Sequence, residues 1–255
     1  MIPQQHQKLQ VMSHAVVGFP SLDENEKAIA GLVEAGVNLI ELQVPFSDPV
    51  ADGHTLVNAC YDALKMGGSV KATLELAAKV TKAHPQASFI LMSYLNPLYR
   101  YGLEKLFEDA AAAGIKAMII PDMPVEQIEP WLPKLDALGI APILMVTPNI
   151  SDERVAKIAA NARGFIYVVS RMGVTGKQTQ WGEEFENYVA RIRTHTDLPL
   201  AIGFGVRAAE DLKALTGTAE IAAFCSKYIE WQRDQGSDKA AEKMHQLLQD
   251  SGLAG

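Results

Sequence analysis

Apolar positions along this chain arrive in two alternating rhythms. Short apolar, partly β-branched runs fall at residues 14–17, 37–44, 89–92, 117–120, 141–146, 165–169, 200–202 and 220–224. Between them lie stretches in which apolar positions recur every three or four residues, at 23–36, 55–66, 70–83, 103–113, 125–138, 152–162, 185–195 and 208–215. The first kind reads as strands and the second as amphipathic helices. Asp23 to Glu26 resembles a capping box that opens the first helix. Eight strands separated by helices need right-handed crossovers, hence a parallel sheet, and at this length they predict an α/β protein closed into one (β/α)8 TIM barrel, a single domain over residues 1–255. A doubly wound open sheet is the competing arrangement. It is disfavoured because the first strand-to-helix turn lacks the Gly-x-Gly-x-x-Gly fingerprint.

The strand at 37–44 carries an acid. Alternation puts Ile40, Leu42 and Val44 on one face and Leu39, Glu41 and Gln43 on the other, so the apolar phase packs on helices and the Glu41 phase looks elsewhere. Burying a carboxylate without partners costs several kcal/mol, about 2–7 even for a neutral polar group, so Glu41 reads as a poised proton donor and acceptor. A turn-rich loop with Asp48 and Asp52 follows at once. In a barrel, chemistry gathers where strands end, and Glu41, Asp52, Asp122, Ser170, Gly176, Gly205 and Ser226 all fall at or beyond such ends.

Glycines after the last strands, Gly173 and Gly176, then Gly203 and Gly205, with Ser226 after the eighth, let backbone amides approach an anion and predict a phosphorylated substrate. The polar, glycine-punctuated segment 170–181 fits either a lid or a surface loop. Tyr94, Tyr167 and Phe204, near strand ends, suit the walls of a flat apolar ligand as well as an ordinary core. His54, Cys60 and Lys227 read as a helix-start residue, a small core residue and a solvated lysine. No strand core contains the lysine that a Schiff-base aldolase would need.

Composition narrows the partners. With 48% hydrophobic and 21% charged residues the chain is globular, and a net charge of −7 with scattered Lys and Arg offers nucleic acid no basic face. No apolar run reaches the roughly 18 residues of a membrane span, and the start lacks a secretory pattern, so a cytoplasmic protein is expected. Two distant cysteines and six histidines without ligand spacing predict neither a disulfide framework nor a metal.

Four motifs carry a resemblance: ELQVPFSDPVADG at 41–53, PDMPVE at 121–126, SRMGVTG at 170–176 and GFG at 203–205. In order and spacing they are similar to those of the tryptophan synthase α subunit family. The resemblance implies retro-aldol cleavage of indole-3-glycerol phosphate to indole and glyceraldehyde 3-phosphate, a carbon–carbon lyase step in tryptophan biosynthesis. It implies Glu41 and Asp52 as the catalytic carboxylates, Gly176, Gly205 and Ser226 at the phosphate, Tyr167 and Phe204 beside the indole, and Thr175 positioning Asp52. It also implies no cofactor in this chain and a pyridoxal-phosphate-dependent β subunit as partner in an αββα complex that receives the indole. Three departures stand against the family pattern: Ser13-His14-Ala15-Val16 on the first strand, Phe19 where many members carry Asp, and Cys225-Ser226-Lys227 in place of a Gly-Ser-Ala turn. They motivate an alternative, an α-like subunit of weak activity that mainly binds and activates β.

Overall fold

The computed structural model describes residues 8–170 and 181–254. Eight parallel strands close into a barrel in chain order: β1 (Gln10–Val16), β2 (Leu39–Gln43), β3 (Ser88–Met92), β4 (Ala117–Ile119), β5 (Ala141–Val146), β6 (Ile166–Val169), β7 (Leu200–Gly203) and β8 (Ile221–Ala223). Closure comes from β1, which pairs with both β2 and β8. The strand β1 starts four residues before the predicted run, because Gln10 to Ser13 gain ladder partners in two neighbours that no local pattern announces.

Two apolar clusters sit on the two sides of the sheet. Inside the barrel lie Met12, Leu39, Ile90, Ile119, Phe165, Ala201 and Ile221; outside, Ile40, Leu42 and Val44 pack with the helices, as the alternation along 37–44 predicts. The helical shell is α1 (Leu22–Glu34), α2 (His54–Lys65), α3 (Val70–Ala83), α4 (Leu95–Tyr101), α5 (Leu103–Ala112), α6 (Val125–Ile128), α7 (Leu132–Leu138), α8 (Asp152–Asn161), α9 (Glu183–Arg193), α10 (Ala209–Leu215), α11 (Ser226–Gln235) and α12 (Ser237–Asp250).

The pattern read as one helix over 125–138 is broken. A 3-10 turn at Glu129–Trp131 separates α6 from α7, since Pro130 and Pro133 lack the N–H that a continuous helix requires. At α1 the cap is Ser21, whose hydroxyl accepts from the N–H of Glu24, rather than an acid of the Asp23 to Glu26 run. Asn25, Ala28, Ile29 and Leu32 then bury one face. Buried Asn25 bolts the β1–α1 loop in place: it accepts from the Gly18 N–H at 2.7 Å and donates to the carbonyls of Val16 at 3.1 Å and Phe19 at 3.0 Å. At about 1 kcal/mol each, those bonds decide where β1 ends. No helix among the described residues is long and apolar enough to cross a membrane.

Candidate active site

The two carboxylates singled out in the sequence come together at the C-terminal rim. Glu41 (4% exposed) projects inward from β2, and Asp52 (8%) sits on the loop between β2 and α2. The β1/β2 register sets His14 opposite Glu41. Its Nδ1 lies 2.6 Å from Glu41 Oε2 and its Nε2 2.7 Å from Gln43 Oε1. Gln43 Nε2 donates to Asp52 Oδ2 at 2.8 Å, and the Tyr94 hydroxyl donates to the same oxygen at 3.0 Å while accepting from the Ala51 N–H at 3.1 Å. Glu41, His14, Gln43 and Asp52 thus form one buried chain of hydrogen bonds, and Tyr94, against which Phe46 packs at 5.7 Å between ring centroids, fixes its far end. A Cys225 thiol 3.6 Å from Glu41 Oε2 completes the surroundings.

Electrostatics follow from this burial. For Asp52, loss of solvation pushes the pKa up; the His14 charge and the bonds from Gln43 and Tyr94 pull it down less strongly, so the carboxyl stays raised. For His14, burial disfavours the imidazolium, but the hydrogen bond and charge of Glu41, aided by Gln43 and Asp52, outweigh it and leave the pKa above the ordinary 6.5. Burial, together with the Glu41 charge, holds the Tyr167 hydroxyl and the Cys225 thiol protonated far above neutral pH.

His14, Glu41, Asp52, Met92, Ile119, Pro121, Met145, Tyr167, Phe204 and Cys225 share a pocket above the barrel interior. Its free volume is about 40 Å³, room for a water. Gly203 makes room for one wall: a Cβ there would stand 2.1 Å from the Tyr167 hydroxyl. Phe204 takes φ 70°, the left-handed region that a bulky residue rarely adopts, and its carbonyl accepts from the Ser170 hydroxyl; Gly205 follows at φ 106°.

Of the sequence-derived candidates, Glu41, Asp52, Tyr167 and Phe204 line the pocket. Gly205 lies beyond β7, and Ser226 opens α11, whose first N–H groups are free of helical partners and suit a phosphate. Cys225, just before it, takes φ −105°, which any residue adopts, so the turn makes no demand for glycine. Thr175 and Gly176, and with them most of the 170–181 segment, lie outside the described residues. Asp122 turns its carboxylate to the Leu95 N–H at 2.8 Å, capping α4 rather than joining the pocket.

Sequence reasoning gave Gln43 no role and treated His14 only as a departure. A His inside the apolar run of β1 was the available signal.

Comparison with known proteins bears on this arrangement. The profile of the family described as "Tryptophan synthase alpha chain" matches residues 3–252. The tryptophan synthase alpha chain of Desulfotalea psychrophila is 39% identical over 226 residues, 89% of each chain, and that of Dehalococcoides mccartyi 35% identical over 94% of each. Among solved structures, a tryptophan synthase of Mycobacterium tuberculosis superposes with a TM-score of 0.86 at 29% identity, over 97% of this chain and 91% of that one.

Proposed function

The chain belongs to the tryptophan synthase alpha chain family, a carbon–carbon lyase that cleaves indole-3-glycerol phosphate to indole and glyceraldehyde 3-phosphate, and we propose that Glu41 and Asp52 carry that reaction here. The observation supporting this is the pairing of two buried carboxylates at the barrel rim beside an aromatic-walled pocket. Cleaving the bond from indole C3 to the glycerol chain requires C3 to be protonated first, which places positive charge on the ring nitrogen. Glu41 supplies that proton. Asp52 accepts the ring N–H and stabilises the charge. Glu41, now a carboxylate, takes the proton from the side-chain hydroxyl as the carbon–carbon bond breaks, its electrons restore the indole, and the aldehyde forms. The hydroxyl proton has in effect moved to C3, and no cofactor is needed in this chain; pyridoxal phosphate belongs to the β subunit.

Tyr167 and Phe204 flank the indole ring in this reading, Gly205, Ser226 and Gly176 hold the phosphate, and Thr175 positions Asp52. The partner is a β subunit, in an αββα complex in the cytoplasm. The rim offers it an apolar contact in Val50, 76% exposed on the loop between Glu41 and Asp52, next to the exposed Ser47 and Asp48. Direct passage of indole to β would keep a small apolar product from escaping through membranes.

The test is indole release from indole-3-glycerol phosphate by the unmodified protein and by Glu41→Gln, each with and without the β subunit of the same genome. Release that β raises and Glu41→Gln abolishes is expected. An unmodified protein no more active than Glu41→Gln in the presence of β would overturn the assignment.

A further inference from the structure

His14 is bonded to one carboxylate and, through Gln43, to the other, and the chemistry above gives it no task. Its protonation can be read from its partners. An ionised Asp52 only accepts, so Gln43 presents its amide NH2 there, at 2.8 Å, and its carbonyl oxygen to His14 at 2.7 Å. His14 Nε2 must therefore carry a hydrogen. That leaves Nδ1 facing Glu41 Oε2 across 2.6 Å with one proton between them: an imidazolium beside a carboxylate, or a neutral ring accepting from a carboxylic acid. Either way the pair is neutral and holds one deliverable proton. A buried pair in this state avoids the several kcal/mol that a lone buried carboxylate would cost.

We propose that His14 is a positioning residue that stores the proton of Glu41, keeping the pair in its proton-donating form at neutral pH and making the spent carboxylate a stronger base. The inference rests on the lyase reading. The proton passes from Glu41 to C3, leaving a carboxylate opposite the bare Nδ1 lone pair of a neutral imidazole whose other nitrogen is pinned as N–H by Gln43. Two electron-rich atoms in hydrogen-bond contact repel, so the carboxylate recovers a proton readily, and the one within reach is that of the substrate hydroxyl. The pair is one proton short only between the two steps, and it ends the cycle as it began.

Among the described residues, the other ionisable groups facing it are Asp52 on the β2–α2 loop, Tyr167 on β6 and Cys225 ahead of α11, with Tyr94 after β3 behind Asp52. Tyr94, Tyr167 and Cys225 stay neutral well past the working range. Asp52 works as a carboxylate, so its own titration can only raise activity as pH climbs, and loss of activity with rising pH in the neutral to mildly alkaline range reports the His14–Glu41 pair.

The experiment is the pH profile of kcat and KM for indole release, with β subunit present, in the unmodified protein, His14→Phe and His14→Gln. Phe removes the proton store; Gln can still bond Glu41 but cannot titrate. The alkaline limb of kcat should move to lower pH by about two units in both, toward a carboxyl range, giving about a hundredfold loss on the alkaline side with KM within about twofold. An unmoved limb in His14→Phe, or full recovery of the limb in His14→Gln, would overturn the proposal. Should His14→Phe not fold, nitrogen NMR of labelled histidine in the unmodified protein and in Glu41→Gln decides. A His14 Nδ1 signal that titrates above the ordinary histidine range and moves with the substitution supports the shared proton, and one indifferent to Glu41 refutes it. Failure of the lyase reading is separate, appearing as no indole release from the unmodified protein while the NMR result stands.

Discussion

Two glutamates, each 4% exposed, mark opposite ends of the barrel and are treated in opposite ways. Glu220, just before β8, takes a two-oxygen grip from the Arg193 guanidinium, at 2.8 Å and 2.6 Å, and a 2.8 Å bond from the Leu200 N–H. A guanidinium is a poor partner for proton exchange, and the pair ties α9 to the start of β7 and β8. Glu41 at the rim faces an imidazole, which can exchange a proton with it, and a thiol that stays protonated. Burial therefore does not distinguish a structural acid from a chemical one; the partner's ability to release or take a proton does.

The contrast breaks most sharply under matched substitution. Glu41→Gln should lower indole release by about a thousandfold while leaving the unfolding midpoint nearly unchanged, since general acid and base roles are both lost. Glu220→Gln should do the reverse: about 2 kcal/mol or more lost in denaturant titration, because Arg193 is left half-paired, with activity per folded molecule retained. Asp52→Asn keeps acceptors for Gln43 and Tyr94 but removes the charge opposing the ring nitrogen; about a hundredfold loss in kcat with little change in KM is expected from steady-state kinetics. Gly203→Ala drives a methyl into the Tyr167 ring and should cost about 1–3 kcal/mol and raise KM, measurable by melting and substrate titration.

The smallest effect is the dependence of stability on pH. His14 has its folded pKa raised above the unfolded 6.5, so its contribution is fully present below 6.5 and is lost as pH climbs through the folded value. Denaturant midpoints measured across that window should decline more in the unmodified protein than in His14→Phe. Equal slopes would mean that the imidazole does not hold its proton in the folded state.

The rim acids were legible because their signals are local. Period-two alternation put Glu41 in the phase that does not pack on the helices, and Asp52 closes the turn-rich run that follows. The family motifs spelled out both. What joins them was not legible, since Glu41 meets His14 through strand register and Cys225 across a separation of 184 residues. Helix α4 escaped notice because its seven residues include Pro97 in the first turn and bury only Leu98. Helices α11 and α12 lie past the last strand, where no following strand framed the pattern; α11 buries Gln232 along with Tyr228 and Ile229, which blurs its apolar stripe.

The groups around Glu41 come from both closing strands of the ring: His14 from β1, and Cys225 from the residues that leave β8. During synthesis, then, a chain released from the ribosome as far as β7 has both carboxylates and His14, which the β1/β2 ladder sets against Glu41, but has neither Cys225 nor Ser226. The site gains its Cys225 wall and its Ser226 end only when the last strand finds the first, so acquisition of catalysis is a timestamp for ring closure rather than for collapse, and a refolding assay that follows indole release would lag one that follows helix formation.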